Sequence, residues 1–243
     1  MDKIRFFIDF DGTITTTDVV DQVLDRFAKK EWKMVEKDWV EGRIGSRECL
    51  SRQIDFVVTT ESDLMKLIEE IQIDPHFISF LREAKRVSVP VSIVSDGFDL
   101  FIEHILNKSL KDFPELLASL PVFCNKLYWT GKGLKAIFAN RGCDHGCANC
   151  KPAVIKKNAL AGEKIVFVGD GLSDRFAAEI AGQEAGLTFA KGKLLNYCEE
   201  KNIRHEKYSS FKEIEEWIIR HSERSEESHS ENKLMRSFGS ASG

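Results

Sequence analysis

The stretch that decides the fold is Phe6-Phe7-Ile8-Asp9-Phe10-Asp11-Gly12-Thr13-Ile14-Thr15. The apolar run that enters it predicts a short buried strand ending at Asp9. Because residues i and i+2 of a strand face the same side, Asp9 and Asp11 should project together. Two carboxylates so close are costly unless a cation or a shared proton neutralises them. The glycine that follows permits a tight turn against a ligand, so the stretch predicts a metal-assisted nucleophile loop.

The composition limits the kinds of protein this can be. The chain has 243 residues, is 42% hydrophobic and 30% charged, and carries a net charge of -4. That length can bury one large domain or two modest ones. The mild acidic excess argues against a nucleic-acid partner. The chain has no apolar run near the roughly 18 residues that span a bilayer, and no secretory signal. We therefore expect a cytoplasmic protein without a membrane partner, either a monomer or a homodimer.

Strand patterns alternate with helix patterns along most of the chain, which is typical of an α/β doubly wound parallel sheet. Residues 16–86 are an exception, since their apolar residues recur at helical spacing throughout. The later strands are predicted at Pro90–Val94, Lys164–Val168 and Gly186–Ala190, and Gly186–Ala190 should be the last strand of the sheet. A hairpin-like excursion is predicted over 122–138.

This pattern predicts two domains and a tail. Residues 1–15 and 87–220 should form a Rossmann-like core, and residues 16–86 a small helical cap inserted into it. A terminal amphipathic helix is predicted over Phe211–Ile219. Residues 221–243 are rich in Ser, Glu and Arg, so we expect this tail to lie outside the fold.

Polar clusters follow the predicted strands, where the ligands of such sheets bind. Each cluster alone could be a turn, a helix cap or a solvated lysine. Together they supply the parts of a phosphoryl-transfer site: a nucleophile, a cation, donors to phosphate oxygens and a proton carrier. The clusters are Asp9 and Asp11, Ser95-Asp96-Gly97, Lys151, and Asp170 with Asp174.

The residue types suggest a role for each cluster. Asp9 would attack phosphorus and Asp11 would move the proton. Thr13, Ser95, Asp96, Gly97 and Lys151 would bind the phosphate group. Mg²⁺, a hard cation that prefers oxygen ligands, would be held by Asp9, Asp170 and the carbonyl of Asp11. Asp174 would orient Lys151 or a metal-bound water.

With these residues in place, the chain resembles the haloacid dehalogenase-like (HAD) superfamily of aspartyl-phosphate hydrolases. Asp9-Phe-Asp-Gly-Thr, Ser95, Lys151 and Gly169-Asp-Gly-Leu-Ser-Asp174 carry the resemblance, which covers residues 1–220. It implies a Rossmann-like core, a mobile cap and Mg²⁺ dependence. Because dehalogenases of this superfamily lack the second acid, Asp11 favours a phosphatase acting on a small phosphorylated metabolite.

Two branches of the superfamily are candidates for the substrate. The helical cap resembles that of phosphoserine phosphatases, but the cap Glu and Arg of that branch fall here at Asp18 and Gln53. The stretch Cys143-x3-Cys147-x2-Cys150-Lys151 is similar to the methionine-salvage 2-hydroxy-3-keto-5-methylthiopentenyl-1-phosphate phosphatases. That resemblance makes Arg52 a candidate substrate-binding residue of the cap, although a solvated arginine fits it equally.

Two questions stay open from the sequence. Cys143, Cys147 and Cys150 could bind a structural Zn²⁺ with His145 or Cys124 as fourth ligand, could be redox-active, or could simply pack a tight loop. The whole chain could also be a binding or regulatory module that keeps the fold without turnover. The intact catalytic set argues against such a module.

Overall fold

A computed structural model describes residues 3–131, 133–139, 142–183 and 186–223 of the chain. In these residues one sheet of seven strands is flanked by helices. The strands are β1 (Ile4–Ile8), β2 (Val91–Phe98), β3 (Val122–Thr130), β4 (Gly133–Ile137), β5 (Lys164–Gly169), β6 (Leu187–Ala190) and β7 (His205–Lys207).

The helices fall into a first group before β2 and a second group after it. None in the described ranges is long and apolar enough to cross a bilayer. The first group is α1 (Val19–Phe27), α2 (Trp32–Val40), α3 (Ser46–Ile54), α4 (Glu61–Glu70) and α5 (Phe77–Arg86). The second group is α6 (Asp99–Ser109), α7 (Pro114–Leu117), α8 (Lys151–Asn158), α9 (Arg175–Gln183), α10 (Gly192–Lys201) and α11 (residues 211–223), with a 3-10 turn at Leu172–Asp174.

The strand order is β4-β3-β2-β1-β5-β6-β7. Neighbouring strands are parallel except in the hairpin of β3 and β4. From β1 the chain builds outward through β2 and β3, and then returns to build outward on the other side through β5. The order therefore reverses at β1, and ligands of such sheets bind at the carboxyl ends of the strands beside this point. The predicted doubly wound α/β sheet is confirmed.

The central strand is apolar on both faces because helices cover both. Phe6 and Ile8 lie in one buried cluster with side chains of α5, α6 and α11. Phe7 points to the opposite face and packs with side chains of α8, α9 and α10. Strands buried on both sides have apolar runs instead of alternation, which explains the sequence of β1.

The helical segment α1–α4 is connected to the rest of the chain by two neighbouring extended segments, at Ile14–Thr16 and Gln72–Asp74. The amide of Thr16 donates to the carbonyl of Gln72 at 3.0 Å, and the amide of Asp74 donates to that of Ile14 at 2.8 Å. The helices between these crossings lie over the carboxyl end of β1, so they can cover whatever binds there.

Helix α5, which follows the second crossing, packs on the sheet. The ring of Phe80 lies 5.2 Å from that of Phe6 on β1, edge to face. The ring of Phe77 lies 5.0 Å from that of Phe211 on α11 in the same manner. Such pairs add to the stability gained from burial alone.

The sequence-based prediction is wrong at the end of the sheet, because β6 is not the last strand. Helix α10 and strand β7 follow it, and β7 pairs in parallel with β6. Strand β7 is only His-Glu-Lys at an exposed edge, so it has no apolar alternation to reveal it.

The predicted start of the tail at 221 is also wrong. Residues 221–223 continue α11, and Ser222 is only 4% exposed. The remaining part of the predicted tail, residues 224–243, lies outside the described residues.

Replacing Phe80 by Ala should lower the free energy of unfolding by about 3–5 kcal/mol, because a fully buried ring is lost from the contact between α5 and the sheet. Urea-induced unfolding would measure this. Met34→Ala is the control, since Met34 is 71% exposed on α2 and should change stability by less than about 0.5 kcal/mol. Equal effects of the two substitutions would contradict the packing of α5 described above.

Candidate active site

The chain turns sharply where β1 ends at Asp9. The next three amides after Gly12 all donate to the carbonyl of Phe10, which closes a tight loop. Gly12 has a φ of +70°, and a Cβ there would lie 2.7 Å from Oδ2 of Asp170. A side chain would thus strain the backbone and collide with a carboxylate. The glycine lets the loop after β1 lie directly against the loop after β5.

Lys151, the first residue of α8, is buried between two carboxylates. Its Nζ donates to Asp9 Oδ1 at 2.6 Å and to Asp174 Oδ1 at 2.5 Å. The other oxygen of Asp174 accepts the amides of Asp170 and Gly171, both at 3.0 Å. Lys151 is 1% exposed, and a charge buried this deeply is tolerated only when it is paired and hydrogen-bonded. The lysine therefore fixes the nucleophile candidate to α8 and to the turn after β5.

The charge of this cluster is not balanced by the lysine alone. Burial, and then the neighbouring Asp174, raise the pKa of Asp9 well above its ordinary range. The same two causes raise the pKa of Asp170 to about 6. Burial lowers the pKa of Lys151, but the charges of Asp174 and Asp9 outweigh burial, so the pKa of Lys151 is raised. The cluster thus has more buried carboxylate than its own cation neutralises.

A divalent cation would neutralise this excess of negative charge. Carboxylate oxygens of Asp9, Asp170 and Asp174 lie within 4.8 Å of one another. Thr13 Oγ1 donates to Asp170 Oδ1 at 2.8 Å and so orients that carboxylate. Hard oxygen donors of this kind suit Mg²⁺.

Asp11 is held apart from these carboxylates. Its Oδ1 accepts the amide of Val19 at 3.2 Å, at the start of α1, and its Oδ2 accepts Ser95 Oγ at 3.2 Å. Burial raises the pKa of Asp11 to about 6, although both hydrogen bonds oppose it. A carboxyl group in this range can exchange protons near neutral pH. Its predicted contact with the metal, through the backbone carbonyl, stays a prediction.

The polar end of β2 loops out beside Asp11. The register with β3 shifts between 94 and 98, which leaves Ser95, Asp96 and Gly97 unpaired with that strand. Ser95 is fully buried, and its Oγ accepts the amide of Gly97 at 2.9 Å. Asp96 faces the helical segment instead, where its Oδ2 accepts Ser46 Oγ at 2.8 Å. Of the predicted phosphate-binding residues, Ser95 and Gly97 thus lie at Asp11, whereas the Asp96 side chain contacts α3.

A cavity of about 310 Å³ lies between the carboxylates and helices α1–α3. Its floor is the carboxylate cluster, and its wall combines apolar side chains with a polar pair formed by buried Gln53 and half-buried Glu36. In this pair, Gln53 Nε2 donates to Glu36 Oε2 at 2.9 Å. The lining includes Asp9, Asp11, Asp170, Asp18, Asp21, Glu36, Gln53, Val20, Trp39, Leu50, Cys49, Ser46 and Lys193.

A sequence model described as haloacid dehalogenase-like hydrolase matches residues 6–179 of the chain. The chain belongs to this family. The sequence-based resemblance to the HAD superfamily is thereby confirmed, and the parallel sheet with Asp9 at its switch point is the family's architecture in this chain.

Two curated relatives are phosphatases of one kind. The 2-hydroxy-3-keto-5-methylthiopentenyl-1-phosphate phosphatase of Lysinibacillus sphaericus is 31% identical over 86% of this chain and 91% of its own length. The enzyme of the same name from Bacillus pumilus is 26% identical over 86% of this chain and 92% of its own. Family and relatives together make this HAD protein a phosphoric monoester hydrolase.

Solved structures of phosphoserine phosphatase share the fold. A phospho-aspartyl intermediate analogue of that enzyme superposes with a TM-score of 0.64 and 24% identity, covering 90% of this chain and all of the other. At that identity the likeness concerns the fold alone, so it does not identify the substrate of this hydrolase.

The structure does not bring Arg52 to the cavity. Its guanidinium lies on the exposed face of α3 and pairs with Glu48 at 3.3 Å, one helical turn away. The neighbouring Gln53 faces inward instead and is 2% exposed. Ser46 and Glu36 also line the cavity and were not predicted, because their partners Asp96 and Gln53 are distant in sequence and only helix packing brings them inward.

The cysteine-rich loop lies beside the active site of this hydrolase. Cys143, His145 and Cys147 place their ligand atoms within 4.8 Å of one another. All six cysteines are free thiols. Cys124, the other possible fourth ligand, lies on β3 at a different cavity.

Mg²⁺ should stabilise the folded protein, because it would neutralise buried carboxylates that the unfolded chain exposes. At 100 times its dissociation constant the gain is about 2.7 kcal/mol, seen as a higher Tm when Mg²⁺ is added to dialysed protein. Asp170→Asn should lose most of this shift. Asp25→Asn, which removes an exposed acid of α1, should keep it. An unchanged shift in Asp170→Asn would place the metal elsewhere.

Proposed function

We propose that this phosphatase hydrolyses 2-hydroxy-3-keto-5-methylthiopentenyl-1-phosphate, a step of methionine salvage, through an aspartyl-phosphate on Asp9. One observation carries the proposal: the carboxylate cluster opens into a cavity whose cap wall is apolar and acidic. The named substrate has hydroxyl, keto and methylthio groups and no carboxylate. The two relatives that bear this name match most of the chain, which supports the same choice.

In the first half-reaction, an oxygen of Asp9 attacks phosphorus. Lys151 holds Oδ1 of Asp9 at 2.6 Å, which leaves Oδ2 as the attacking atom. The bond from phosphorus to the substrate oxygen breaks, and Asp11 gives its proton to that oxygen. The hydrogen bonds from Val19 and Ser95 orient the Asp11 carboxyl, which lines the same cavity as Asp9 and would meet the leaving group there.

In the second half-reaction, water attacks the phosphorus of the aspartyl-phosphate. Asp11, now ionised, accepts the proton of the water, and the bond from phosphorus to Asp9 breaks. Inorganic phosphate leaves, and both carboxyl groups return to their starting states. One residue thus serves as acid and then as base, which requires a pKa near the working pH.

The remaining residues of the cluster hold the phosphate group. Lys151 uses two of its three N–H groups on carboxylates and can offer the third to a phosphate oxygen. The Ser95 hydroxyl donates to Asp11 and the Gly97 amide donates to Ser95 Oγ, so each would exchange that partner for a phosphate oxygen when substrate binds. Asp9 and Asp170 would hold Mg²⁺ with the carbonyl of Asp11, and the bound ion would offset the charge of the phosphate.

The cap wall favours the salvage substrate over phosphoserine, the runner-up. Trp39 and Leu50 offer apolar surface to a methylthio group. In the described lining, Lys193 is the only basic side chain, whereas Asp18 and Glu36 are acidic. A serine carboxylate would therefore enter a negative wall without the charged fork that an arginine would supply.

A non-catalytic regulatory module is the other class of function. It would retain the fold and the cavity but would not need Lys151 buried against Asp9. The complete set of Asp9, Asp11, Lys151 and Asp170 favours turnover.

For the domain boundaries, we propose a cap shorter than the predicted 16–86. Its limits would be the crossings at Ile14–Thr16 and at Gln72–Asp74, so that α1–α4 form the cap. Helix α5 would belong to the core, because Phe77 and Phe80 pack on β1 and α11.

Asp9→Asn should abolish hydrolysis of a generic phosphomonoester in Mg²⁺, because the amide is not a nucleophile. The loss should reach at least about 1,000-fold in kcat, measured as phosphate release. Asp63→Asn, an exposed change on α4, is the control and should leave turnover unchanged. Retained turnover in Asp9→Asn, with deamidation excluded by mass spectrometry, would contradict the nucleophile assignment.

The substrate proposal predicts that kcat/KM for the salvage phosphate exceeds that for phosphoserine by at least about tenfold. Trp39→Ala should lower kcat/KM for the salvage phosphate by about 10–100-fold through lost apolar contact, and change it little for a generic small phosphomonoester. Met34→Ala, on the exposed side of the same helix, controls for changes in α2. A preference for phosphoserine would overturn the substrate and leave the phosphatase chemistry intact.

A further inference from the structure

Next to the active site, four metal-binding side chains lie in eight residues of one loop. We infer that Cys143, His145, Cys147 and Cys150 bind a structural Zn²⁺ ion. The inference is separate from the hydrolytic chemistry, which needs none of these side chains.

Three of the four ligand atoms already lie together around Cys143. Its Sγ lies 3.8 Å from Nδ1 of His145. Sγ of Cys147 lies within 4.8 Å of both of these atoms, and Sγ of Cys150 would have to move closer to complete the set. Zn²⁺ binds sulfur at about 2.3 Å and imidazole nitrogen at about 2.0–2.1 Å, so two ligands of a tetrahedron lie about 3.6–3.8 Å apart. The loop therefore already holds three of the ligands at nearly the spacing that the ion requires.

The donor types select zinc over the cation of the active site. Thiolates and imidazole are soft or borderline ligands, which suit Zn²⁺, whereas Mg²⁺ prefers oxygen. Three cysteines and one histidine complete a four-coordinate site, leaving no open position for water. Such a site is structural. Binding would displace the thiol protons into solvent, since the ligands are thiolates.

The ring of His145 is held in place from the core side. It stacks on the ring of Phe176 in α9, with centroids 3.9 Å apart. The sulfur ligands Cys147 and Cys150 are 9% and 7% exposed, so they are well shielded from solvent. A ligand set with one ring fixed and two buried sulfurs loses little conformational freedom when it binds the ion.

A bound metal ion would stabilise a loop that contacts catalytic residues. Asn149, between two of the ligands, donates to the carbonyls of Ser95 and Phe123 at 3.0 and 2.9 Å. Lys151 follows the last ligand directly. A fixed loop would thus set the position of the catalytic lysine and support the backbone of Ser95.

The same loop is where the cap rests on the core. The Arg47 amide donates to the carbonyl of Gly146 at 3.1 Å, and the Ala148 amide donates to Ser46 Oγ at 2.9 Å. A Cβ on Gly45 would lie within overlap distance of the Gly146 carbonyl, so the two backbones are in direct contact. The zinc site would therefore fix a surface of the core that contacts the cap.

The test is the zinc content of protein purified under reducing conditions, supplied with Zn²⁺ and then desalted. Elemental analysis should find about one zinc per chain. Cys143→Ser and His145→Ala should each lose most of it. Because His145 is exposed, its replacement should leave the fold intact, which a far-UV circular dichroism spectrum matching that of the wild type would check. Co²⁺ in place of Zn²⁺ should give the visible spectrum of tetrahedral cobalt bound to thiolate.

Cys124→Ser is the matched control and should keep the zinc. Loss of zinc from this variant would overturn the ligand set, because Cys124 would then be a ligand. Wild-type protein without bound zinc, or with a disulfide between two of the three loop cysteines under the same conditions, would overturn the site itself. These outcomes do not depend on which phosphate ester the enzyme hydrolyses.

Discussion

The buried ammonium of Lys151 is the interaction on which the site depends. It joins Asp9 at the end of β1 to Asp174 in the turn before α9, and it is itself the first residue of α8. Removing one partner of a buried ion pair leaves an uncompensated charge, which costs about 3–5 kcal/mol. The three elements must therefore meet at one point. That point is the reversal of strand order at β1, so the fold's topology and its charge pairing specify the same place.

The pairing also explains why the site needs further positive charge. Asp9, Asp170 and Asp174 place three carboxylates around one ammonium. Burial, and then the charge of Asp174, raise the pKa of Asp9 and Asp170. A divalent cation would balance the three acids and the lysine. A phosphate group brings negative charge of its own, so it would bind poorly to the cluster without that cation. Binding of the cation would thus favour binding of the phosphate group before any chemical step.

Sequence patterns predicted the fold where burial dictates the residue type. β1 and β5 are apolar because helices cover both faces, and each ends in acids that the structure brings together. Patterns failed where packing decides. β7 is a polar edge strand, and α3 turns Gln53 inward and Arg52 outward, which helical spacing alone did not distinguish. The contacts of Ser46 with Asp96 and of Glu36 with Gln53 join distant segments, and no local pattern contains them.

In the proposed function, phosphate transfer and substrate selection depend on different parts of the chain. These parts are nevertheless joined by hydrogen bonds. The proposed acid Asp11 accepts the amide of Val19, the first residue of α1, so the proposed cap would help to orient the group that moves the proton. Ser46 of α3 reaches Asp96, next to Ser95, in the same way. A substrate that fits the wall of α1–α3 would therefore stabilise the arrangement that the core needs for transfer. Binding energy from the part of the substrate that does not react can in this way contribute to the reaction at phosphorus.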